Sequence, residues 1–364
     1  MQMERAGLFP RWAARLAVAM SVAWLANAVL HRLFSGRFWL WVLPDLAPPP
    51  VYMVVPLALL AAAAVGLFRG PRRWAMAVAG TAVVALILGF GQAGLNPRAL
   101  AVSGRAPAGA LHIVSWNTEY WDQTDDPAHF YRYLTAQHAD VYLLQEYLNW
   151  VNNGPQPVDD LTRLRKEFPG YQMAISGELV TLSRYPIIAT PPIATAWPVD
   201  SSWYSQFQAR KVLRTDLDVG GHTLSVYNVH IPVQLGQGGL LDTSFYRDVH
   251  TRVRHRTAEF SALRRDVAAN HNPKLIAGDF NTTPSMGDVS WFRSHLSDAV
   301  RADGSLYPAS WPAFGPTVWR LDWAFTTGLH TYRYDFRSPE GMSDHRAQDL
   351  WLSLRSDPGQ KGRT

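Results

Sequence analysis

Hydrophobic and polar positions along this chain follow two regimes. Up to about residue 91 the apolar residues come in three long runs, Trp12 to Leu30, Val51 to Phe68 and Trp74 to Gly91. Each is close to the ~20 residues a helix needs to cross a bilayer core, so the pattern predicts three transmembrane helices. The first run carries Arg15 near its start and Asn27 inside; an arginine near a helix end can extend to the headgroups. No small-residue cleavage pattern follows a short apolar core there, and two further runs come after it, which predicts a retained helix and not a removed signal peptide.

Arginine positions then predict orientation. Arg5, Arg11 and Arg15 lie at the start of the first run, and Arg69, Arg72 and Arg73 fill the short turn between the second and third. Both groups are assigned to the cytoplasmic side by the excess of basic residues found there. The loop with Arg32, Arg37, Trp39, Trp41 and the run Pro48-Pro49-Pro50 then lies outside, and three crossings put the chain after Gly91 outside as well. Residues 93–110, rich in Gly, Ala and Pro, predict a tether. The expected organisation is an anchor over 1–92, a linker over 93–110, one large domain over 111–355 and a flexible tail over 356–364.

From Leu111 the apolar runs shorten and alternate with turn residues. Leu111–Trp116, Val141–Gln145, Leu179–Ser183, Val212–Val219, Thr223–Val229, Lys274–Ala277 and Leu321–Thr326 predict strands. Asp126 before Pro127 predicts the start of a helix reaching about His138. After Ser244, the residues Phe245, Val249, Val253, Phe260, Leu263 and Val267 recur at helical spacing with Arg and His between them. That basic face is expected to meet solvent, not substrate phosphate. The mixture suits a single large α/β domain.

The 364 residues carry 34 Lys+Arg and 29 Asp+Glu, a formal net charge of +5. Eight arginines and two acids up to Leu95 give that segment +6, which leaves the remainder at −1. A strongly basic face for a nucleic-acid backbone is therefore not indicated for the larger part. With 48% hydrophobic and 17% charged residues, the chain is not a mostly disordered one. Cysteine is absent, which excludes thiolate metal sites, disulfide frameworks and thiol nucleophiles. Any chemistry uses oxygen and nitrogen ligands.

Candidate chemistry sits where apolar strands end. The first strand runs into Asn117 and Glu119, the second into Glu146, and a later one into Asn228 and His230; Leu275-Ile276-Ala277-Gly278 delivers Asp279 and Asn281, Leu321 leads into Asp322, and Ser343 into Asp344 and His345. A single polar residue after a strand is commonly a turn former. In this order, the segments SWNTEYW, DVYLLQEY, LSRYPI, YNVHIP, LIAGDFNTTP, RLDWAF and SDHRAQ resemble the endonuclease/exonuclease/phosphatase superfamily of metal-dependent phosphoesterases. With the three-run anchor, the chain looks like its membrane-bound bacterial subgroup, which is similar to proteins linked to glycopeptide resistance.

The resemblance implies a four-layer α/β sandwich of two packed mixed sheets flanked by helices, preceded by three transmembrane helices. It also implies phosphoester hydrolysis, which needs charge neutralisation on the phosphoryl oxygens, an in-line water and a stabilised leaving oxygen. Mg²⁺, or Mn²⁺ in its place, suits the first need through oxygen ligands. By the resemblance Glu146 is a metal ligand, Asn117 supports it, and Glu119 and Asp344 add carboxylate charge. Asp279 orients or deprotonates water, and Asn281 binds the phosphate. His345, oriented by Asp322, contacts the scissile phosphate, and His230 stabilises the phosphate or protonates the leaving group. Some relatives place an extra acid before the segment YNVHIP to orient that histidine. Here that region reads Gln206, Gln208, Arg210 and Lys211, and Glu178 is the acid proposed for that role. Arg210 or Lys211 is either a phosphate contact or an ordinary edge-strand charge.

Three substrate readings follow. An anchored hydrolase would act on a lipid-linked or other extracytoplasmic phosphate ester, with Trp197, Trp203, Tyr204 and Phe207 as an interfacial edge. A surface nuclease would degrade extracellular DNA or RNA. A non-catalytic envelope binding protein would show no turnover and no response to changes at Asp279 or His345. The stretch LGQGGLL over 235–241 lacks the Lys and Ser/Thr of a phosphate-binding loop, so it predicts a loop and no nucleotide cofactor.

Overall fold

The computed structural model describes residues 11–69, 72–102, 104–195, 197, 199–236 and 238–355. The expected tail over 356–364, and Arg5, lie outside the described residues. The chain divides into two compact units, residues 1–95 with 283–287, and residues 96–282 with 288–364.

The first unit contains helices α1 (Arg11–Phe34), α2 (Val42–Asp45), α3 (Val51–Arg69) and α4 (Arg72–Gly89). Helices α1, α3 and α4 pack together. Leu59 and Ala63 of α3 meet Val78 and Ala82 of α4, small side chains that let apolar helices approach closely. At Gly89 a Cβ would fall 2.7 Å from the Tyr52 carbonyl oxygen. His31, fully buried, has its Nδ1 2.7 Å from the Tyr52 hydroxyl and accepts from Trp41 Nε1 at 3.1 Å. A polar ring in an apolar bundle is thereby satisfied.

Among the described residues, two of these helices and not the expected three are long and apolar enough to cross a membrane: Trp12–Phe34 and Arg72–Gln92. The second predicted span does form a helix, α3, whose described apolar part is Val51–Leu67.

The second unit is built on strands β1 (Leu111–Asn117), β2 (Val141–Gln145), β3 (Leu148–Val151), β4 (Gly154–Pro157), β5 (Gln172–Ser176), β6 (Leu179–Ser183), β7 (Ile187–Ala189), β8 (Val212–Val219), β9 (His222–His230), β10 (Lys274–Asp279), β11 (Ser297–Asp298), β12 (Asp322–Thr327), β13 (Leu329–Arg337) and β14 (Ala347–Leu354). Its helices are α5 (Pro127–Ala136), α6 (Leu161–Glu167), α7 (Trp203–Ala209), α8 (Thr243–Ala269) and α9 (Ser290–His295). One six-stranded sheet runs β13-β14-β1-β2-β6-β5, the other β11-β12-β10-β9-β8-β7, and β3–β4 is a separate hairpin. Both large sheets are mixed: β1–β2 and β9–β10 are parallel, while their other pairs are antiparallel.

Local chemistry explains where the helices begin. The Asp126 carboxylate accepts from Ala128 N at 2.9 Å with Pro127 in the first turn, and Asp242 does the same for Ser244 N at 2.8 Å at the start of α8; both are N-caps. Alternation sorts the strand side chains into layers. Ile113, Leu143, Val226, Leu275 and Ala277 meet between the sheets. Val114, Trp116, Tyr142 and Leu144 face outward onto Phe130 and Leu134 of α5. On the far side Tyr227, Val229, Ile276 and Phe325 pack against Phe260, Leu263 and Val267 of α8. The order helix, sheet, sheet, helix is the arrangement the resemblance implied. Part of the stretch expected as a tether is ordered: Asn96 is buried and donates to the carbonyls of Val300 and Asp303, both at 2.8 Å.

A polar cross-link joins the two sheets just beneath their active edge. Gln145 Nε2 donates to Asn228 Oδ1 at 2.6 Å, and Asn228 Nδ2 donates to the Leu144 and Val180 carbonyls at 3.0 Å each. All of these groups are buried. Asn228→Leu should leave them unpaired and cost about 2–3 kcal/mol, seen as a lowered melting temperature of the full-length protein; an unchanged melting temperature would show that the cross-link carries no stability.

Candidate active site

The strand register alone brings the core of the site together. Parallel pairing sets Asp279, the last residue of β10, beside His230, the last of β9, and antiparallel pairing sets Asp279 opposite Asp322, the first of β12. In the other sheet Asn117 ends β1 beside Gln145 at the end of β2, and Glu146 follows. Strands β9 and β10 meet unusually closely at Gly278. Its φ is +146°, and a Cβ there would lie 1.9 Å from the Val229 carbonyl oxygen. The glycine of the GDFN segment is thus a condition for placing Asp279 next to His230.

Asp279 Oδ2 is the focus of the cluster. Asn117 Nδ2 lies 3.2 Å away and Asn281 Nδ2 3.1 Å; the Nε2 atoms of His230 and His345 lie at 3.6 and 3.7 Å. Asn117 Nδ2 also donates to Glu146 Oε1 at 3.0 Å, which links the two sheets through one amide. Asp279 Oδ1 accepts from Asn281 N at 2.7 Å. His345 Nδ1 lies 2.9 Å from Asp322 Oδ2, and Glu119 Oε2 accepts from Asp344 N at 2.7 Å. All nine residues singled out in the sequence are therefore connected in one cluster.

Backbone strain concentrates at the same place. Glu119, Tyr120, Trp121, Glu146 and Asn281 all have φ between 45° and 67°, a region that costs a non-glycine residue of order 1–3 kcal/mol. Glu146 is held in it by its carboxylate, which accepts from Tyr120 N at 3.1 Å as well as from Asn117.

Electrostatics divide the site into two kinds of group. Burial opposes the charged form of His345, but Asp322, Asp279 and Asp344 outweigh it and hold the ring well above its ordinary value. His230 is raised to about 9 despite burial, because Glu178, Asp279 and Glu146 surround it. The carboxyls face the opposite pressure. Burial pushes Asp279 up, with Asp322 adding to it against the pull of the two histidines. Burial also raises Glu146, and burial together with Asp344 raises Glu119. Such crowding of oxygen donors is what a hard divalent cation offsets. Asp279, Asp322 and His345 also each bring a ligand atom within 4.8 Å of one another, a grouping consistent with a divalent metal.

Two further side chains, Glu178 and Lys211, complete the surroundings of His230. Its Nδ1 lies 3.1 Å from Glu178 Oε1, and Lys211 Nζ reaches the same oxygen at 2.5 Å. Burial works against the Glu178 anion, yet His230 and Lys211 hold its carboxyl down at about 2. Glu178 is thus the acid that orients His230, in place of one nearer the segment YNVHIP. Lys211 is buried and committed to that carboxylate, over the Phe207 ring, while Arg210 is exposed. Of the remaining histidines, His250 and His295 are exposed and His255 is buried beside Glu259.

Residues 114–345 match the model of the endonuclease/exonuclease/phosphatase family, well over half of the chain. The chain belongs to that family. No curated protein matches the sequence. Among solved structures, the chain is similar to an endonuclease/exonuclease/phosphatase family protein from Leptotrichia buccalis, at 17% identity over 67% of this chain and 100% of that one, with a TM-score of 0.48. A family protein from Bacteroides thetaiotaomicron matches at 14% identity over 72% and 100%, with a TM-score of 0.47. The human Nocturnin catalytic domain with bound sulfate matches at 15% over 71% and 100%, with a TM-score of 0.44. As a member of this family the protein is a phosphoesterase-fold hydrolase with a buried acid–histidine cluster, and its implied substrate is a phosphate ester.

The Glu178–His230 pair makes a signed prediction for stability. The raised His230 contributes fully below its ordinary 6.5, and that contribution is lost as pH rises through about 9. The depressed Glu178 contributes fully above its ordinary 4.5, and that contribution is lost as pH falls toward about 2. Glu178→Gln should therefore lower the melting temperature most between about pH 4.5 and 6.5, with the gap from wild type narrowing, but not vanishing, as pH rises through about 9, because Lys211 still pairs with Glu178 in the unaltered protein. A gap independent of pH would mean that the pair is not ionic. Gly278→Ala should also destabilise the protein, by more than ~1 kcal/mol because its φ is positive; an unshifted thermal transition would show that β9 and β10 can separate without cost.

Proposed function

We propose that the protein is a membrane-anchored, extracytoplasmic, metal-dependent phosphoesterase acting on a lipid-linked or other apolar phosphate ester. The observation that carries the reaction is Asp279 Oδ2, set between two raised imidazoles and two side-chain amides beside a crowd of carboxylates. Glu146 and Asn117 would hold Mg²⁺ or Mn²⁺, with Glu119 and Asp344 adding negative charge. The cation, when bound, would neutralise the phosphoryl oxygens.

The protein's own groups do the rest. Asp279, its carboxyl raised, accepts a proton from water and aims the water at phosphorus. Asn281 Nδ2, which donates to Asp279 Oδ2 and to the Ile231 carbonyl, would turn the first of these hydrogens to a phosphoryl oxygen when substrate is bound. His345 is fixed by Asp322 through Nδ1, which leaves Nε2–H to meet developing charge on the phosphoryl group. His230, protonated and held by Glu178, delivers a proton to the leaving oxygen.

Exposed side chains near these elements support an ester with an apolar portion. Trp150 and Val151 follow Glu146 in β3, with Trp150 against Tyr120; Val233, Leu240 and Leu241 lie on the loop after His230; Tyr204 projects from α7. Aliphatic side chains do not stack on bases, and the region after Leu95 carries a charge of −1, so a nucleic-acid backbone is the poorer fit. Anchoring rests on α1 and α4, with α3 carrying the chain back between them. Helix α4 begins with Arg72 and Arg73 and has no basic residue in its last turn, which orients its start toward the cytoplasm and the chain leaving it outward.

The test is divalent-dependent hydrolysis by the protein in detergent, read as phosphate release from a polyprenyl phosphate, headgroup or phosphomonoester release from a phospholipid, and strand cleavage of single- and double-stranded DNA. Wild type should favour a lipid substrate, and Asp279→Asn and His345→Ala should each lose about 10²–10⁴-fold in rate. Preferred cleavage of DNA would replace the lipid reading by a nuclease, and metal-independent or absent turnover would overturn the enzyme reading. A reporter fused after Ala110 should be active only in an extracytoplasmic compartment.

A further inference from the structure

Helix α8 sends one arginine inward. Arg256 is among the largest fully buried side chains of the protein, at 2% exposure. It lies on the same stripe as Phe260, Leu263 and Val267, and its guanidinium carbon is 5.6 Å from the Phe260 ring centre. Its two terminal nitrogens diverge. Nη1 donates to the Pro232 carbonyl at 2.5 Å, and Nη2 donates to Thr282 Oγ1 at 2.7 Å.

Those acceptors belong to the two segments that carry site residues beyond the sheet. Pro232 is two residues after His230, at the end of β9, and Thr282 directly follows Asn281. Past the last paired residues the ladder no longer holds the segments at a fixed spacing. Ile231 N still donates to the Asp279 carbonyl at 2.9 Å and Asn281 Nδ2 to the Ile231 carbonyl at 3.0 Å. Gln234 Nε2 donates to the Asn281 carbonyl. Arg256 adds a further rung. Thr282 is a well-oriented acceptor because its own hydroxyl donates to the Phe280 carbonyl at 2.7 Å, and Trp323 Nε1 fixes the Thr282 carbonyl at 2.7 Å.

We infer that Arg256 is a positioning residue for the hydrolysis. Its forked guanidinium sets the distance between the segment bearing His230 and the segment bearing Asp279 and Asn281, without touching substrate. The role of a fork is specific to arginine: two donors in one rigid plane reach two acceptors at once, whereas a lysine ammonium is a single point on a flexible stem. The rate effect rests on the phosphoesterase reading; the mechanical link between the segments does not.

The experiment compares wild type, Arg256→Lys, Thr282→Val and the double variant, all full-length in detergent, by three readouts. These are melting temperature, hydrogen–deuterium exchange of peptides covering 229–236 and 279–283, and divalent-dependent hydrolysis of bis(p-nitrophenyl) phosphate. Arg256→Lys should keep its fold, raise exchange in both segments together, and lower kcat by about 10²-fold with KM little changed, the scale expected when reacting groups shift by about an ångström. Thr282→Val, which keeps the buried charge, should do the same to a lesser degree, and the double variant should be no worse than Arg256→Lys because one link is being removed. Should Arg256→Lys fail to fold, Thr282→Val carries the same three predictions. A wild-type kcat in a folded Arg256→Lys, or faster exchange confined to α8, would overturn the positioning role. If neither wild type nor variant hydrolyses the ester while both segments loosen together, the phosphoesterase reading and its rate effect fall and the mechanical link stands.

Discussion

The close approach of β9 to β10 governs the geometry of the site. Because Gly278 has no side chain, the backbone of β10 lies against the Val229 carbonyl, and the next register pair sets Asp279 beside His230. The antiparallel partner β12 then contributes Asp322 opposite the same aspartate, and Asp322 in turn holds His345. Three adjacent strands thus deliver an acid, a base and the support of a second base with no loop needing to fold back. From the other sheet, Asn117 reaches both Asp279 and Glu146. The site is a seam between two sheet edges, and the buried Gln145–Asn228 contact one layer below keeps those edges in step.

Such a seam is costly to assemble. Several carboxyls are buried or half-buried near one another, and five non-glycine residues occupy left-handed backbone conformations around them. The compensation is electrostatic: two imidazolium rings are held protonated by Asp322 and Glu178, and each ring turns its second nitrogen toward Asp279. The carboxyls on the Glu119, Glu146 and Asp344 side have no comparable cation among the described residues beyond those rings, which is the physical reason that a divalent ion fits there. On the proposed mechanism, that strain lies where charge would develop during phosphoester hydrolysis.

Much of this was legible along the chain. Seven strands stand where alternation placed them, with ends moved by two residues or fewer. The polar residues that follow them converge because parallel and antiparallel neighbours both expose one edge. Other features had no local signal. The Glu178–His230 contact joins residues 52 positions apart through the turn between β5 and β6, so Glu178 could be offered from the sequence but its contact with the histidine had no local pattern behind it. Strand β13 carries interleaved charged and aromatic residues that do not read as a core strand, and β14 has the polar Gln348 and Asp349 near its start. The apolar run at Val51 predicted a helix correctly, but its length decides whether it matches a bilayer. Arg256 did carry a signal: it falls four residues before Phe260 and seven before Leu263, on the apolar stripe, where a charged residue calls for a buried partner.

In the proposed mechanism the two sheet edges form one centre, in which Glu146 and Asn117 hold the metal while the Asp322–His345 pair remains free to act on phosphate. Anomalous diffraction from crystals of the protein grown with Mn²⁺ measures this directly. The account predicts an ion bound to the Glu146 carboxylate beside Asn117, with the His345–Asp322 hydrogen bond intact. An ion enclosed instead by Asp279, Asp322 and His345, with that hydrogen bond broken, would contradict the assignment of roles across the whole site.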